Sequence, residues 1–294
     1  MLRCQTMRRV AIVAVIALLF AGHPAFAQDE PSEQAATGAG PRAVGDAPKK
    51  DHGWRQDVLI ALIGGGARFR KIRLEVGAGA GDTENRDLET GPYFNFGWHL
   101  LIRPMGRRSP KPSLRALVLQ LDGAAGVGLT VEPVGTGIAL DTNTWQMWGQ
   151  FGYLYPIGRS QVGGLVGVGG DVLKIDLNSV LPSSRIMYVR VGPAASHDLI
   201  PRYLTVRADF GLRFPFDLGA LESAFGYDSK AFGLDSVVTF QGRLEAGFTY
   251  AFRFIWEYFA YRFAGSSDDV PAMADGGSGH DHALYFQVLL GWSL

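Results

Sequence analysis

Residues 286–294 read FQVLLGWSL and alternate in character at almost every step. One set is apolar throughout, and the set between it is Gln287, Leu289, Gly291 and Ser293. Successive side chains of a β-strand point to opposite faces of the sheet, so the pattern predicts a strand with one apolar face and one mostly small or polar face. The fold is therefore predicted to consist of two-faced strands.

The same alternation recurs upstream in segments whose second face carries charge. In residues 204–214 the even-numbered positions are apolar, while the odd-numbered ones include Arg207, Asp209 and Arg213. Glycine contributes 39 of the 294 residues, which argues against a helical bundle because each glycine costs about 1 kcal/mol in a helix interior. After the N-terminal region, no apolar stretch approaches the length of a membrane-spanning helix without a charge. The chain is predicted to be all-β.

The alternating segments predict about ten strands, although eight or twelve would also fit. They lie near residues 57–75, 91–104, 113–130, 142–156, 161–174, 184–195, 202–215, 236–250, 253–264 and 283–294. Long connections are predicted over 76–90, 131–141, 175–183, 216–235 and 265–282, with short turns between them near 105–112, 157–160, 196–201 and 251–252. An even number of strands joined in this way indicates an antiparallel up-and-down barrel. Glycine-rich stretches such as 64–66 and 163–170 are expected where strands curve strongly.

The apolar faces carry aromatic residues near their ends, a feature typical of the interfacial girdles of membrane barrels. In this respect the region 54–294 resembles the bacterial outer-membrane β-barrels, especially the small monomeric ones, whose last strand serves as an assembly signal. The residues that fit this signal are Phe286, Val288, Leu290, Trp292 and Leu294, with Leu294 where that class most often has Phe. The resemblance implies a monomeric transmembrane barrel whose partners are outer-membrane lipids and the barrel assembly machinery.

The N-terminal region has the three parts of a secretory signal peptide. Three arginines precede an apolar run over residues 10–22, and Ala25-Phe26-Ala27 follows as a small-x-small cleavage site. We expect cleavage after Ala27, export to the outer membrane, and a flexible periplasmic linker over 28–53. The chain contains one cysteine, Cys4, so the mature protein would have no thiol.

If the alternation holds throughout, many charged side chains point into the barrel. The predicted polar network of the lumen comprises Arg68, His99, Asp122, Arg190, Arg207, Asp209, Arg213, Arg243, Glu245 and Glu257. Arg70, Asn95, Gln120, Gln146, Gln150 and Asp171 share the inward faces. Because unpaired charges in a confined interior are costly, this mixture of signs favours a filled lumen over a polar passage for small solutes. We predict a structural or narrow-pore role.

Two other functions remain open. The long connection over 216–235 contains enough apolar residues to pack over the barrel mouth, which we expect, or to bind a partner at the surface. Outer-membrane proteases called omptins are also ten-stranded, and the nearest local counterpart to their rim site is His280-Asp281-His282, with Ser267, Asp268 and Asp269 upstream. The two histidines are a weak metal-site signal without a third ligand. No catalytic residue, metal or cofactor is predicted, and the formal net charge of zero gives no reason to expect nucleic acid.

Overall fold

The computed structural model describes residues 57–77, 83–106, 111–131, 140–176, 182–201, 203–226, 228–264 and 276–294. The predicted signal peptide and linker lie outside these residues. The described strands are β1 Leu59–Gly77, β2 Thr83–Glu89, β3 Tyr93–Ile102, β4 Leu117–Val131, β5 Leu140–Ile157, β6 Ser160–Ile175, β7 Ser184–Ile200, β8 Leu204–Asp217, β9 Asp228–Arg243, β10 Phe248–Ala264 and β11 Gly277–Ser293. Two short helices, α1 Pro112–Arg115 and α2 Ala220–Phe225, and a 3-10 turn Glu245–Gly247 connect them.

The sheet closes on itself. Each strand pairs antiparallel with its neighbour in the chain, and β11 returns to pair with β1 along its length. Ten strands form the closed wall. The remaining strand, β2, continues the line of β3 and pairs with residues 71–77 of β1. The predicted ten-stranded antiparallel barrel is confirmed.

The stagger of the barrel follows from the strand registers. The residues directly opposite Gly66, followed from strand to strand around the wall in the two directions, reach β5 at Thr144 and at Pro156, a difference of 12 positions. For ten strands this stagger corresponds to a tilt of roughly 40°. The stagger sets the height at which residues of opposite strands face each other across the interior.

The outer wall presents a broad apolar band. Large apolar side chains there are exposed to a degree that a soluble monomer rarely shows, for example Phe94 at 61%, Trp292 at 60% and Phe252 at 52%. On β11 the outward residues run apolar from Leu284 to Leu294 and become polar at His282, His280 and Ser278. The band thus ends before the strands do. Among the described residues, no helix is long and apolar enough to cross a membrane.

Beyond the band, at the end bearing the longer connections (the loop end), the inside of the barrel is apolar. Ile72, Leu74 and Val76 of β1 point inward there and join a core that includes Leu221 and Phe225 of α2. The outward residues at the same level of β1 are Lys71, Arg73 and Glu75. The apolar face therefore changes sides where the band ends, as expected for strands that leave an apolar surrounding for water.

This change of sides explains why several predicted boundaries were wrong. The predicted loop 76–90 contains β2, the loop 216–235 contains α2 and the first half of β9, and the loop 265–282 contains the start of β11. In these stretches the apolar residues either change phase or are absent from the outer face. A pattern based on one continuous apolar face ends where that face ends.

The predicted turn at residues 251–252 was also wrong. The hairpin between β9 and β10 turns at Glu245–Gly247, where Ala246 and Gly247 have φ of 57° and 81°. The amide of Leu244 donates to the carbonyl of Phe248 at 2.8 Å and closes the hairpin. Leu244 and Phe248 are both apolar and an even number of residues apart, so the apolar–polar alternation continues through the turn in the sequence.

Candidate functional site: the charged lumen

The inward faces of the strands bring most of the predicted polar residues into the barrel. Eight of the ten lie there, all buried except the partly buried Arg207: Arg68, His99, Asp122, Arg190, Arg207, Asp209, Arg213 and Glu257. Arg243 is half-buried at the end of the barrel that bears the short turns (the turn end). Its guanidinium contacts Asp57 at 2.6 Å, and it does not join the others. Glu245 was wrongly placed on a strand, since it begins the β9–β10 turn, and its side chain lies outside the described residues.

The part of the network nearer the loop end, called the upper layer, centres on Asp171 of β6. Two arginines of β1 reach it across the lumen: Arg68 at 3.1 Å and Arg70 at 2.9 Å. Arg70 also binds Asp281 of β11 through both Nε and an outer nitrogen, at 3.1 and 2.6 Å. In sheet order β3, β4 and β5 separate β1 from β6, so the bonds from Arg68 and Arg70 to Asp171 span the barrel.

Arg213 of β8 lies at the centre. Its guanidinium contacts Asp235 of β9 at 2.6 Å and Glu257 of β10 at 2.5 Å, and all three side chains are essentially inaccessible to solvent. Its carbon centre lies 4.6 Å from the ring centroid of Tyr188, a cation–π distance. Arg190 supplies Asp235 with a second partner at 2.5 Å.

Glu257 has further partners besides Arg213. The Tyr285 hydroxyl donates to it at 2.5 Å, and the Gln146 amide donates to its other oxygen. Arg68 lies 4.0 Å away. Glu257 therefore links the Arg213 pairs to the Asp171 pairs, and the two form one connected layer.

The lower part of the network centres on Asp122 of β4. It accepts from Arg253 of β10 at 2.7 Å and from Gln120 at 2.5 Å, and it contacts His99 Nδ1 at 2.8 Å. Since β11, β1 and β3 lie between β10 and β4, the Arg253 bond also crosses the lumen. Arg207 binds Asp209 at 3.0 Å and the Gln120 oxygen at 2.5 Å, which extends the layer to β8.

The pairs balance in charge. Six arginines, at 68, 70, 190, 207, 213 and 253, meet six carboxylates, at 122, 171, 209, 235, 257 and 281. Removing this many charges from water is costly unless each is paired, and the guanidinium fork suits two-point binding of carboxylates. The arrangement can hold the strands together and obstruct the lumen.

Three charged members of this network were not predicted: Asp235, Arg253 and Asp281. Asp235 and Asp281 lay inside predicted loops, and Arg253 directly followed the misplaced turn. Residues separated by an even number of positions share one face of a strand. Arg253 therefore faces inward with Glu257, and Asp281 faces inward with Tyr285. The missing information was the true extent of the strands.

The weak rim-site candidate is not supported by its three residues that the structure describes. His280, Asp281 and His282 lie within β11 and not in a loop, so they alternate: the two histidines face outward and Asp281 faces inward to Arg70. Ser267, Asp268 and Asp269 lie outside the described residues. Among the residues that the structure describes, no group of three or more His, Cys, Asp or Glu side chains could hold a metal ion.

Comparisons with known proteins gave only remote similarity. Neither the protein-family models nor the curated proteins include a match. Among solved structures, the chain is similar to the outer membrane protease OmpT from Escherichia coli, with 9% identity, 80% and 96% of the two chains covered and a TM-score of 0.48. It is also similar to the COG4313 outer membrane channel from Pseudomonas putida F1, with 10% identity, 83% and 99% covered and a TM-score of 0.37. A Pseudomonas aeruginosa FadL homologue gives 7% identity, 80% and 90% covered and a TM-score of 0.31.

Proposed function

We propose that the protein is a bacterial outer-membrane β-barrel with a structural role, whose lumen is closed to solutes by its paired charges. The observation that carries the proposal is the pair of cross-lumen layers, Arg68 to Asp171 above and Arg253 to Asp122 below. The exposed apolar band supports a lipid-facing outer wall. The proposal includes export by a signal peptide cleaved after Ala27 and assembly as a monomer through the outer face of β11.

The geometry of both layers supports a closed lumen. Side chains from opposite walls meet at hydrogen-bonding distance. One cavity at the loop end, lined by Leu221 and Asp281 among others, has a volume of about 10 Å³. That volume accommodates about one water molecule. A solute would have to break buried ion pairs in two successive layers, each costing several kcal/mol.

Conductance in planar lipid bilayers tests the proposal. The unmodified barrel should insert without a stable conductance step, because neither layer leaves a continuous path. Removing the lower layer alone, with Arg207→Ala and Arg253→Ala, should leave conductance low, since Arg68 and Arg70 still bind Asp171 across the lumen. Adding Arg68→Ala and Arg70→Ala, which removes both contacts to Asp171, should produce measurable steps.

The matched control is Arg185→Ala, which removes an arginine that pairs with Asp217 on the outside of the barrel. It should leave the conductance unchanged. A stable, large conductance from the unmodified protein would overturn the closed lumen and favour the narrow-pore alternative.

A further inference from the structure

The outer wall carries an unusual cluster at the loop end, directly beyond the apolar band. We define it as the rim patch, formed by Lys230 of β9, Tyr258 and Arg262 of β10, and His280 and His282 of β11. The apolar band lies immediately below, at Leu284 and Trp256 on the same strands. The patch therefore lies where a lipid chain would end and its headgroup begin.

Two cations in the patch stand side by side. Arg262 and Lys230 are direct cross-strand partners, and both side chains are exposed. Like charges placed directly opposite destabilise a sheet pair. Among the residues that the structure describes, neither cation has a carboxylate within ion-pair distance.

Three other cations at the same end are paired. Arg185 contacts Asp217 at 2.8 Å, and Arg73 lies 3.7 Å from Asp87. Lys71 donates to Glu89, and this hydrogen bond and the ammonium charge hold the pKa of the Glu89 carboxyl below its ordinary value. Arg262 and Lys230 differ from these three because they lie side by side and, among the described residues, have no carboxylate partner.

The aromatic side of the patch is also prearranged. Tyr258 lies between the two imidazoles, with ring centroids 4.7 Å from His282 and 5.8 Å from His280. Its hydroxyl is 2.8 Å from His280 Nδ1. When the hydroxyl donates this bond, the imidazole proton lies on Nε2 and is available to an acceptor.

A small residue leaves room between these groups. Ala260 separates Tyr258 from Arg262 on the outer face of β10, and its cross-strand partners are His280 and Phe232. The rim patch therefore has the two cations on the loop side of Ala260 and the Tyr258–His280 pair beside it. Its donors are the kind that bind phosphate: a guanidinium fork, an ammonium and an imidazole.

We propose that the rim patch binds a phosphate group of the phosphorylated glycolipid of the outer leaflet. This inference rests on the proposed outer-membrane location, and it takes the loop end, which bears the longer connections, to face the outside of the cell. The apolar band would hold the acyl chains, while Arg262, Lys230 and His280 would hold the phosphate above them. The bound anion would relieve the repulsion between the two adjacent cations.

Binding of a defined glycolipid to the purified, folded barrel tests the proposal. The probes are lipid A carrying its phosphates and the same lipid enzymatically dephosphorylated, titrated into barrels held in nanodiscs of neutral phospholipid. The unmodified barrel should bind the phosphorylated form at least tenfold more tightly. The variant R262Q/K230Q should lose most of this preference, and His280→Phe should lose part of it.

The matched control is Lys174→Gln, which removes a single outward cation near the loop end of β6, opposite Asn143. It should retain the full preference for phosphate. Equal binding of the two lipid forms, or equal losses in K174Q and R262Q/K230Q, would overturn the proposal. Binding of vesicles containing phosphatidylglycerol as tightly as lipid A would also overturn it, since that result indicates only a diffuse surface charge.

This test is separate from the proposed function. Cell fractionation reports the location of the protein, and conductance reports the state of its lumen. A barrel found in the outer membrane with a closed lumen, but without a preference for phosphate, would refute the rim patch alone. A patch that binds lipid A in vitro, in a protein found elsewhere in the cell, would instead refute the location.

Discussion

Replacing Arg213 with Met should destabilise the barrel severely. Its guanidinium binds Asp235 at 2.6 Å and Glu257 at 2.5 Å, and all three side chains are buried. Breaking a buried pair by removing one partner costs about 3–5 kcal/mol, because a carboxylate remains uncompensated. Asp235 keeps Arg190 as a partner at 2.5 Å, so we expect a cost near the lower end, about 3 kcal/mol.

Urea titration of the barrel in phospholipid vesicles, followed by tryptophan fluorescence, measures this cost. The control is Arg185→Met, whose pair with Asp217 has side chains 62% and 32% exposed and should contribute about 0–1 kcal/mol. The double variant R213M/E257Q should be less destabilised than the sum of its single variants, because it leaves no orphan charge at Glu257. Equal free energies of unfolding for R213M and R185M would refute the argument that the lumen pairs hold the barrel together.

Three further predictions concern closure, hydrogen bonding and orientation. Gly66→Ala should prevent normal pairing of β1 with β11, because its Cβ would lie 1.7 Å from the Phe286 carbonyl oxygen, and the folded yield should fall sharply. The control Gly164→Ala, whose Cβ would have its nearest atom 3.7 Å away, should fold normally. Tyr285→Phe should cost about 1–3 kcal/mol in the same urea titration, since its buried hydroxyl binds Glu257 and Gln146, and a cost below the error of the measurement would contradict this. Ser278→Cys should react with an impermeant maleimide in intact cells and Ser113→Cys should not; the opposite result would reverse the orientation.

Much of the barrel wall could be predicted from the sequence. Inside the apolar band each strand meets lipid-like surroundings on one face and a polar interior on the other, so alternation alone predicts where a side chain points. Phe286 and Trp292 were predicted to share one face, and both are exposed on the outer wall. Arg207, Asp209 and Arg213 were predicted to share the other, and all three point inward.

The prediction failed where the surroundings of a strand change along its length. Beyond the band water replaces the apolar surroundings, so Ile72 and Leu74 point inward where Ile63 and Phe69, closer to the turn end, point outward. The β9–β10 turn was hidden because Leu244 and Phe248 keep the same phase across it. Asp235 and Asp281 were missed for these reasons and not because their chemistry is unusual.

The sequence alone determined that the chain forms two-faced strands, and it determined which residues of the central wall face inward, because a strand repeats every two residues whatever surrounds it. Only the tertiary structure decided which charges meet. Arg68 and Asp171 are 103 residues apart, and Arg253 and Asp122 come from opposite walls. Their contacts depend on closure of β11 onto β1 and on the stagger of the strands, which together fix the height of each side chain in the lumen.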